Sequence, residues 1–158
     1  MARSTFVYVT YIRTTPEKLW AALTDAEFSK EYWFGCRSES AWTAGSPWTL
    51  TSSSGEVLDA GEIVEAVPPR KLVIRWRHEK KPEQKAEGPS LCTMEIEQSG
   101  SAVKLSITHT IEREGSKFME AVAGGWPKVV SNLKSMLETG SAALVDPYPA
   151  PNVAARIA

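Results

Sequence analysis

The order of hydrophobic patterns along the chain predicts an α+β fold. A single curved antiparallel sheet of about six to seven strands wraps one long C-terminal helix, and two short helices follow the first strand. Three observations carry that prediction. Between Ser116 and Gly140 the large apolar residues Phe118, Val122, Trp126, Val129, Val130, Leu133, Met136 and Leu137 recur at the helical period, so one face is greasy from end to end. From Pro47 to Ile111 the apolar residues fall instead in short strand-like runs, punctuated by Gly, Pro and Ser. No other large apolar surface is left to cover the inner face of that sheet, so the sheet must curl around the last helix.

Taken in order, Phe6 to Ile12 is β-branched and aromatic throughout and apolar on both faces, which predicts a strand at the heart of the sheet. Thr14 or Thr15 caps the next helix, with Pro16 in its first turn and Glu17 beside its positive end; Leu19, Trp20 and Leu23 form its apolar face up to Thr24. Asp25 caps a second short helix, Ala26 to about Tyr32, and the two form a V. Trp33, Phe34 and Trp42 follow, and their expected role is to wedge that V against the sheet edge.

Strands are expected over Pro47 to Leu50, Glu56 to Ala66 and Lys71 to Arg77, with Pro68-Pro69 turning the chain between the last two. Alternation puts Leu72, Ile74, Trp76 and His78 on the inner face of the third of these and Lys71, Val73, Arg75, Arg77 and Glu79 on the outer. Lys80 to Pro89 reads as a polar loop. A hairpin follows. Turning at Ser99-Gly100 with Gln98 opposite Ser101 would set Ile96 against Val103, Met94 against Leu105 and Cys92 against Ile107. In the last helix Ser116 is the N-cap and Gly140 the C-terminal stop, while Gly124-Gly125-Trp126-Pro127 predicts a kink. Lys117, Glu120, Lys128, Ser131, Asn132, Lys134, Ser135 and Glu138 are assigned to its wet face. At ~1.5 Å per residue this helix is ~35 Å long, enough to cross a sheet.

With 158 residues, 42% hydrophobic and 23% charged, the chain is expected to form one domain over 1–140, followed by a proline-rich tail over 141–158. That tail carries Pro147, Pro149 and Pro151 among Leu144, Val145, Tyr148, Val153 and Ile157; it is either mobile or packed on its own domain or on a second subunit. A net charge of −1 argues against a nucleic-acid surface, and Arg75, Arg77, Lys80 and Lys81 read as a solvated strand end. No apolar signal core opens the chain and no run approaches the roughly 20 apolar residues that span a bilayer, so neither membrane insertion nor export is expected and a cytoplasmic location is. Cys36 and Cys92 lack metal-type spacing and read as small buried hydrophobes rather than a disulfide.

Lys18-Leu19-Trp20-Ala21-Ala22-Leu23-Thr24-Asp25, then Tyr32-Trp33-Phe34-Gly35, Gly61-Glu62-Ile63-Val64-Glu65, Pro68-Pro69-Arg70-Lys71-Leu72 with Trp76, and Gly125-Trp126-Pro127 with Leu133-Lys134 together resemble the SRPBCC superfamily. Within it they are most similar to the branch named after the C-terminal domain of the activator of heat-shock-protein-90 ATPase. The likeness runs in order from about Thr5 to Gly140 and implies a helix-grip fold, START-like and birch-pollen-allergen-like, with a hydrophobic cavity between sheet and helix. The fold hosts lipid carriers, polyketide cyclases, stress-response proteins and chaperone activators, so function has to be read from the site.

That cavity is expected to be lined by Trp76, Cys92, Met94, Leu105 and Ile107 from the sheet and by Phe118, Val122, Trp126 and Val129 from the helix, with His109 near its mouth. A small hydrophobic molecule is the expected partner. An enzyme of the cyclase or dehydratase kind is the alternative in the same cavity, but no catalytic set can be named: His109 and Cys92 have no partner placed beside them by sequence, and no serine nucleophile motif is present. His78 and His109, on strands two apart, would stand ~10 Å from one another, too far to share a metal ion. No metal and no cofactor are therefore expected. The further alternative is a protein-interaction module, with a chaperone or a second copy of the chain as partner. Against the chaperone stands the lack of the extra N-terminal domain that the chaperone activator carries.

Overall fold

The computed structural model describes residues 3–145; the proline-rich part of the expected tail, from residue 146 onward, lies outside the described residues. The elements run β1 (Ser4–Ile12), α1 (Pro16–Thr24), α2 (Ala26–Tyr32), β2 (Arg37–Ser40), β3 (Pro47–Thr51), β4 (Val57–Val67), β5 (Lys71–His78), α3 (Pro82–Lys85), β6 (Ser90–Ser99), β7 (Ala102–Ile111) and α4 (Lys117–Thr139). The seven strands form one antiparallel sheet in the order β1-β7-β6-β5-β4-β3-β2, curved over α4. Register shifts between Leu50 and Thr51 and between Ile63 and Glu65 add local twist, which helps the sheet bend. Gly61 in β4 lets the backbone of β5 approach closely: a Cβ there would meet the Arg75 carbonyl oxygen at 1.6 Å.

Local chemistry explains the helices. The Thr15 hydroxyl accepts from the Lys18 amide and the Asp25 carboxylate from the Glu27 amide, so both short helices start where a side chain satisfies an orphan donor. The Tyr32 hydroxyl donates to the Ala22 carbonyl at 3.0 Å and closes the V. At the start of α4 the Ser116 hydroxyl accepts from the Met119 amide at 2.9 Å and itself donates to Glu87, whose carboxylate also accepts from the Lys117 amide at 2.8 Å. Gly140, with φ of 90°, ends the helix, which runs continuously through Pro127.

Several expectations are corrected. β1 is an edge strand rather than a central one, paired only with β7, and its outer face leaves Val7 57% and Tyr11 50% exposed. The edge is blunted where the Lys134 ammonium donates to the Tyr11 carbonyl. β2, which has no apolar residue, is held through Ser38: its amide donates to the Ser29 hydroxyl at 3.0 Å and its hydroxyl accepts the Trp48 indole N–H at 3.0 Å. The β6–β7 hairpin turns at Gly100-Ser101, so Ile96 faces Leu105, Met94 faces Ile107 and Cys92 faces His109. That is two residues away from the expected register; the sheet face is unchanged, and the turn places Gly100 at its first corner with φ of 61°. The expected polar loop after β5 contains α3, with Gln84 buried. Asn132, assigned to the wet face of α4, is buried as well, and Cys36 is only half-buried.

Candidate functional site

A cavity of about 450 Å³ lies between the β4–β5 part of the sheet, the turn after α2 and the N-terminal half of α4. The helix contributes Phe118, Ala121, Val122, Gly125, Trp126 and Val129, one stripe at helical spacing. Trp33 and Trp76 stand opposite, with Leu50 and Leu58 from β3 and β4. The indoles form a cluster: ring centroids are 5.2 Å apart for Trp33 and Trp126, 5.7 Å for Trp76 and Trp126 and 6.0 Å for Trp33 and Trp76. Tilted and edge-on arrangements at these spacings are favourable between rings, so the three indoles support one another in the wall.

Polar groups gather on one side of the cavity. Asp59 on β4 and His78 on β5 are registered partners, and the Asp59 carboxylate oxygen lies 2.9 Å from His78 Nδ1. Lys80, Lys81 and Gln84 continue the wall beyond β5. Lys80 is ion-paired with Glu56. The Cys36 thiol, half-buried, is pushed up by burial and then by the Asp59 carboxylate. Two buried polar atoms on the lining residues, Trp76 Nε1 and His78 Nε2, have no hydrogen-bond partner among the described residues.

Of the nine residues expected to wall the cavity, Trp76, Phe118, Val122, Trp126 and Val129 line it. Cys92, Met94, Leu105 and Ile107, and His109 with them, are packed into the core instead; the Phe118 and Trp126 rings cover His109, with ring centroids at 6.0 and 5.7 Å. His109 is therefore not at a mouth. It is fully buried, desolvation lowers its imidazole to about 3, and Nδ1 shares a 3.2 Å hydrogen bond with the Ser90 hydroxyl. Burial likewise pushes the Cys92 thiol far above its ordinary value, which leaves it inert as a nucleophile. Residues that sequence reasoning did not assign to the cavity include Trp33, Leu50, Leu58, Asp59, His78 and Gln84. The inward position of His78 was a usable signal; its pairing with Asp59 depends on the β4–β5 register. No group of three or more His, Cys, Asp or Glu side chains suited to a metal ion occurs among the described residues.

A twisted antiparallel sheet gripping a long C-terminal helix over an apolar cavity defines a helix-grip domain of the SRPBCC class. The chain belongs to the family described as activator of Hsp90 ATPase homolog 1-like protein, whose model matches residues 13–138. No curated protein matches the chain by sequence. Among solved structures it is similar to the Aha1 dimer from Colwellia psychrerythraea, at 19% identity and a TM-score of 0.71, over 87% of this chain and 98% of that one. Protein MLL2253 from Mesorhizobium loti gives 21% identity and a TM-score of 0.72, over 85% and 96% of the two chains. An HSP90 activator from Plasmodium falciparum gives 25% identity and a TM-score of 0.69, over 84% and 95%. No helix among the described residues is long and apolar enough to cross a membrane.

Proposed function

We propose that this protein binds a small, mostly apolar molecule in the space between its sheet and α4. The observation that carries this reading is the cavity itself: about 450 Å³ walled by three indoles, Phe118 and aliphatic side chains, a volume within the range of small-molecule sites. Apolar surface that a ligand buries there contributes roughly 25 cal/mol per Å² before the cost of association is subtracted, so affinity comes from volume and contact.

The test uses the neutral fluorescent probe N-phenyl-1-naphthylamine. The wild-type chain should bind it, and Val122→Trp, which fills the cavity from a half-buried helical position, should abolish binding while the circular dichroism spectrum stays native. A wild-type chain that binds no such probe sinks the proposal.

A second reading rests on the family description and on the Plasmodium structure, which name activation of a chaperone. In it the domain works through its surface. It predicts that the protein raises the ATPase rate of a heat-shock-protein-90 chaperone and that Val122→Trp leaves that effect intact. A homodimer belongs to the same reading, as the Colwellia protein is described as a dimer.

A further inference from the structure

The cavity is not uniformly apolar. Trp76 and His78 are alternate residues of β5, so their side chains leave the same face of the strand. Each carries a buried nitrogen with no partner among the described residues, Nε1 of Trp76 and Nε2 of His78. An unpaired buried polar group is costly and therefore rare in folded proteins, so two on one wall of a cavity ask for an explanation. The Trp76 indole can only donate. The Asp59 carboxylate can only accept, so His78 Nδ1 donates the 2.9 Å hydrogen bond and Nε2 is the ring nitrogen left to meet a ligand. Beyond β5 stands the Lys81 ammonium, exposed and without an ion-pair partner among the described residues.

We infer that this corner receives the carboxyl group of an apolar carboxylic acid, with the apolar body lying along the indole wall toward Val129. The inference rests on the cavity-binding reading above and adds the chemistry of the ligand's head. One carboxyl oxygen accepts from the Trp76 N–H. The other meets His78 Nε2: an acid entering with its proton transfers it to Nε2, the O–H bond breaking as the N–H bond forms, and a carboxylate entering without it draws one from solvent to the same nitrogen. Either route ends in a carboxylate beside an imidazolium that Asp59 holds from behind. The charged or titratable groups facing His78 are Asp59 from β4 and Lys80 and Lys81 from the segment after β5. α4 brings only the Phe118 ring, 6.4 Å away, and α3 the neutral Gln84. Lys80 is already neutralised by Glu56, so Lys81 offsets the Asp59 charge, and the positive charge that meets the head is the one His78 carries once it holds the second proton.

The experiment measures displacement of N-phenyl-1-naphthylamine by dodecanoate and by methyl dodecanoate, which shares the chain but has neither charge nor acidic proton. Dodecanoate should bind about tenfold more tightly to the wild type, the scale of one charge-assisted hydrogen bond. His78→Leu should erase that preference, read as the ratio of acid to ester affinity within the variant itself. Lys81→Ala, at an exposed position, should lower the ratio of acid to ester affinity. Equal affinities for acid and ester in the wild type overturn the inference while the cavity reading stands, and failure of the naphthylamine itself overturns the cavity reading. Should His78→Leu lose its native circular dichroism, the wild-type comparison and Lys81→Ala still separate these outcomes.

Discussion

His109 is fully buried among Trp76, Phe118 and Trp126, and the lost hydration holds its imidazole from an ordinary 6.5 down to about 3. The unfolded chain takes up a proton on this ring below about 6.5 and the folded chain only below about 3. In that window the unfolded state binds more protons, so stability falls as pH falls, by at most about 1.4 kcal/mol per pH unit for one group. His109→Leu removes that contribution. Urea denaturation from pH 7 to pH 5 should show the wild type losing stability more steeply than the variant; parallel slopes would mean that the ring is not held neutral. Glu87 tilts the same way at lower pH. Burial works to raise its carboxyl, but hydrogen bonds from Ser116, Lys117 and Phe118 outweigh that and hold it below the usual carboxylate range, so its contribution is lost as acid protonates it.

At the scale of the element, α4 separates a dry face from a wet one. Leu133 is buried, so Leu133→Ala should cost ~2–5 kcal/mol in chemical denaturation. Lys134 donates to the Tyr11 carbonyl and pairs with Glu138 at 2.9 Å at the rim of the domain, and Lys134→Ala should cost no more than about 1 kcal/mol. Equal losses would show the helix rotated. The stripe and both caps of α4 are legible in the sequence because a period of 3.6, a serine and a glycine are local signals. The edge position of β1 is not, because Val7, Val9 and Tyr11 are as apolar as Phe6 and Tyr8, and whether the outer face is covered depends on a topology that sequence does not display. β2 carries no apolar residue and leaves no pattern at all. The position of the cavity is hidden for the same nonlocal reason. It follows where the sheet curls away from the helix, near β4 and β5, and the Asp59–His78 pair exists only through a register that includes a bulge. The hairpin register is ambiguous by two residues because either side of Gly100 offers a plausible two-residue turn.

For the molecule as a whole, the boundary between domain and tail bears on the cavity. The helix ends at Gly140, yet the chain returns to α4: the Ser135 hydroxyl donates to the Ser141 carbonyl at 2.6 Å, and the buried Asn132 amide both accepts from the Leu144 amide at 2.6 Å and donates to the Leu144 carbonyl at 2.9 Å. The same Asn132 nitrogen lies 3.3 Å from the Tyr32 carbonyl, at the end of α2 and next to Trp33 in the cavity wall. One side chain thus links α2, α4 and the segment after it. We therefore expect the stable unit to extend through Leu144 rather than to stop at residue 140. A chain ending at Gly140 leaves the Asn132 amide short of partners and should be about 1–3 kcal/mol less stable than one ending at Val145, the scale of a buried polar group left unpaired. It should also bind the naphthylamine probe more weakly, since Trp33 would lose part of its anchor. Urea titrations and probe binding on the two truncated chains decide the matter. Matching midpoints and matching affinities would put the boundary back at Gly140 and leave residues 141–145 with no part in holding the cavity.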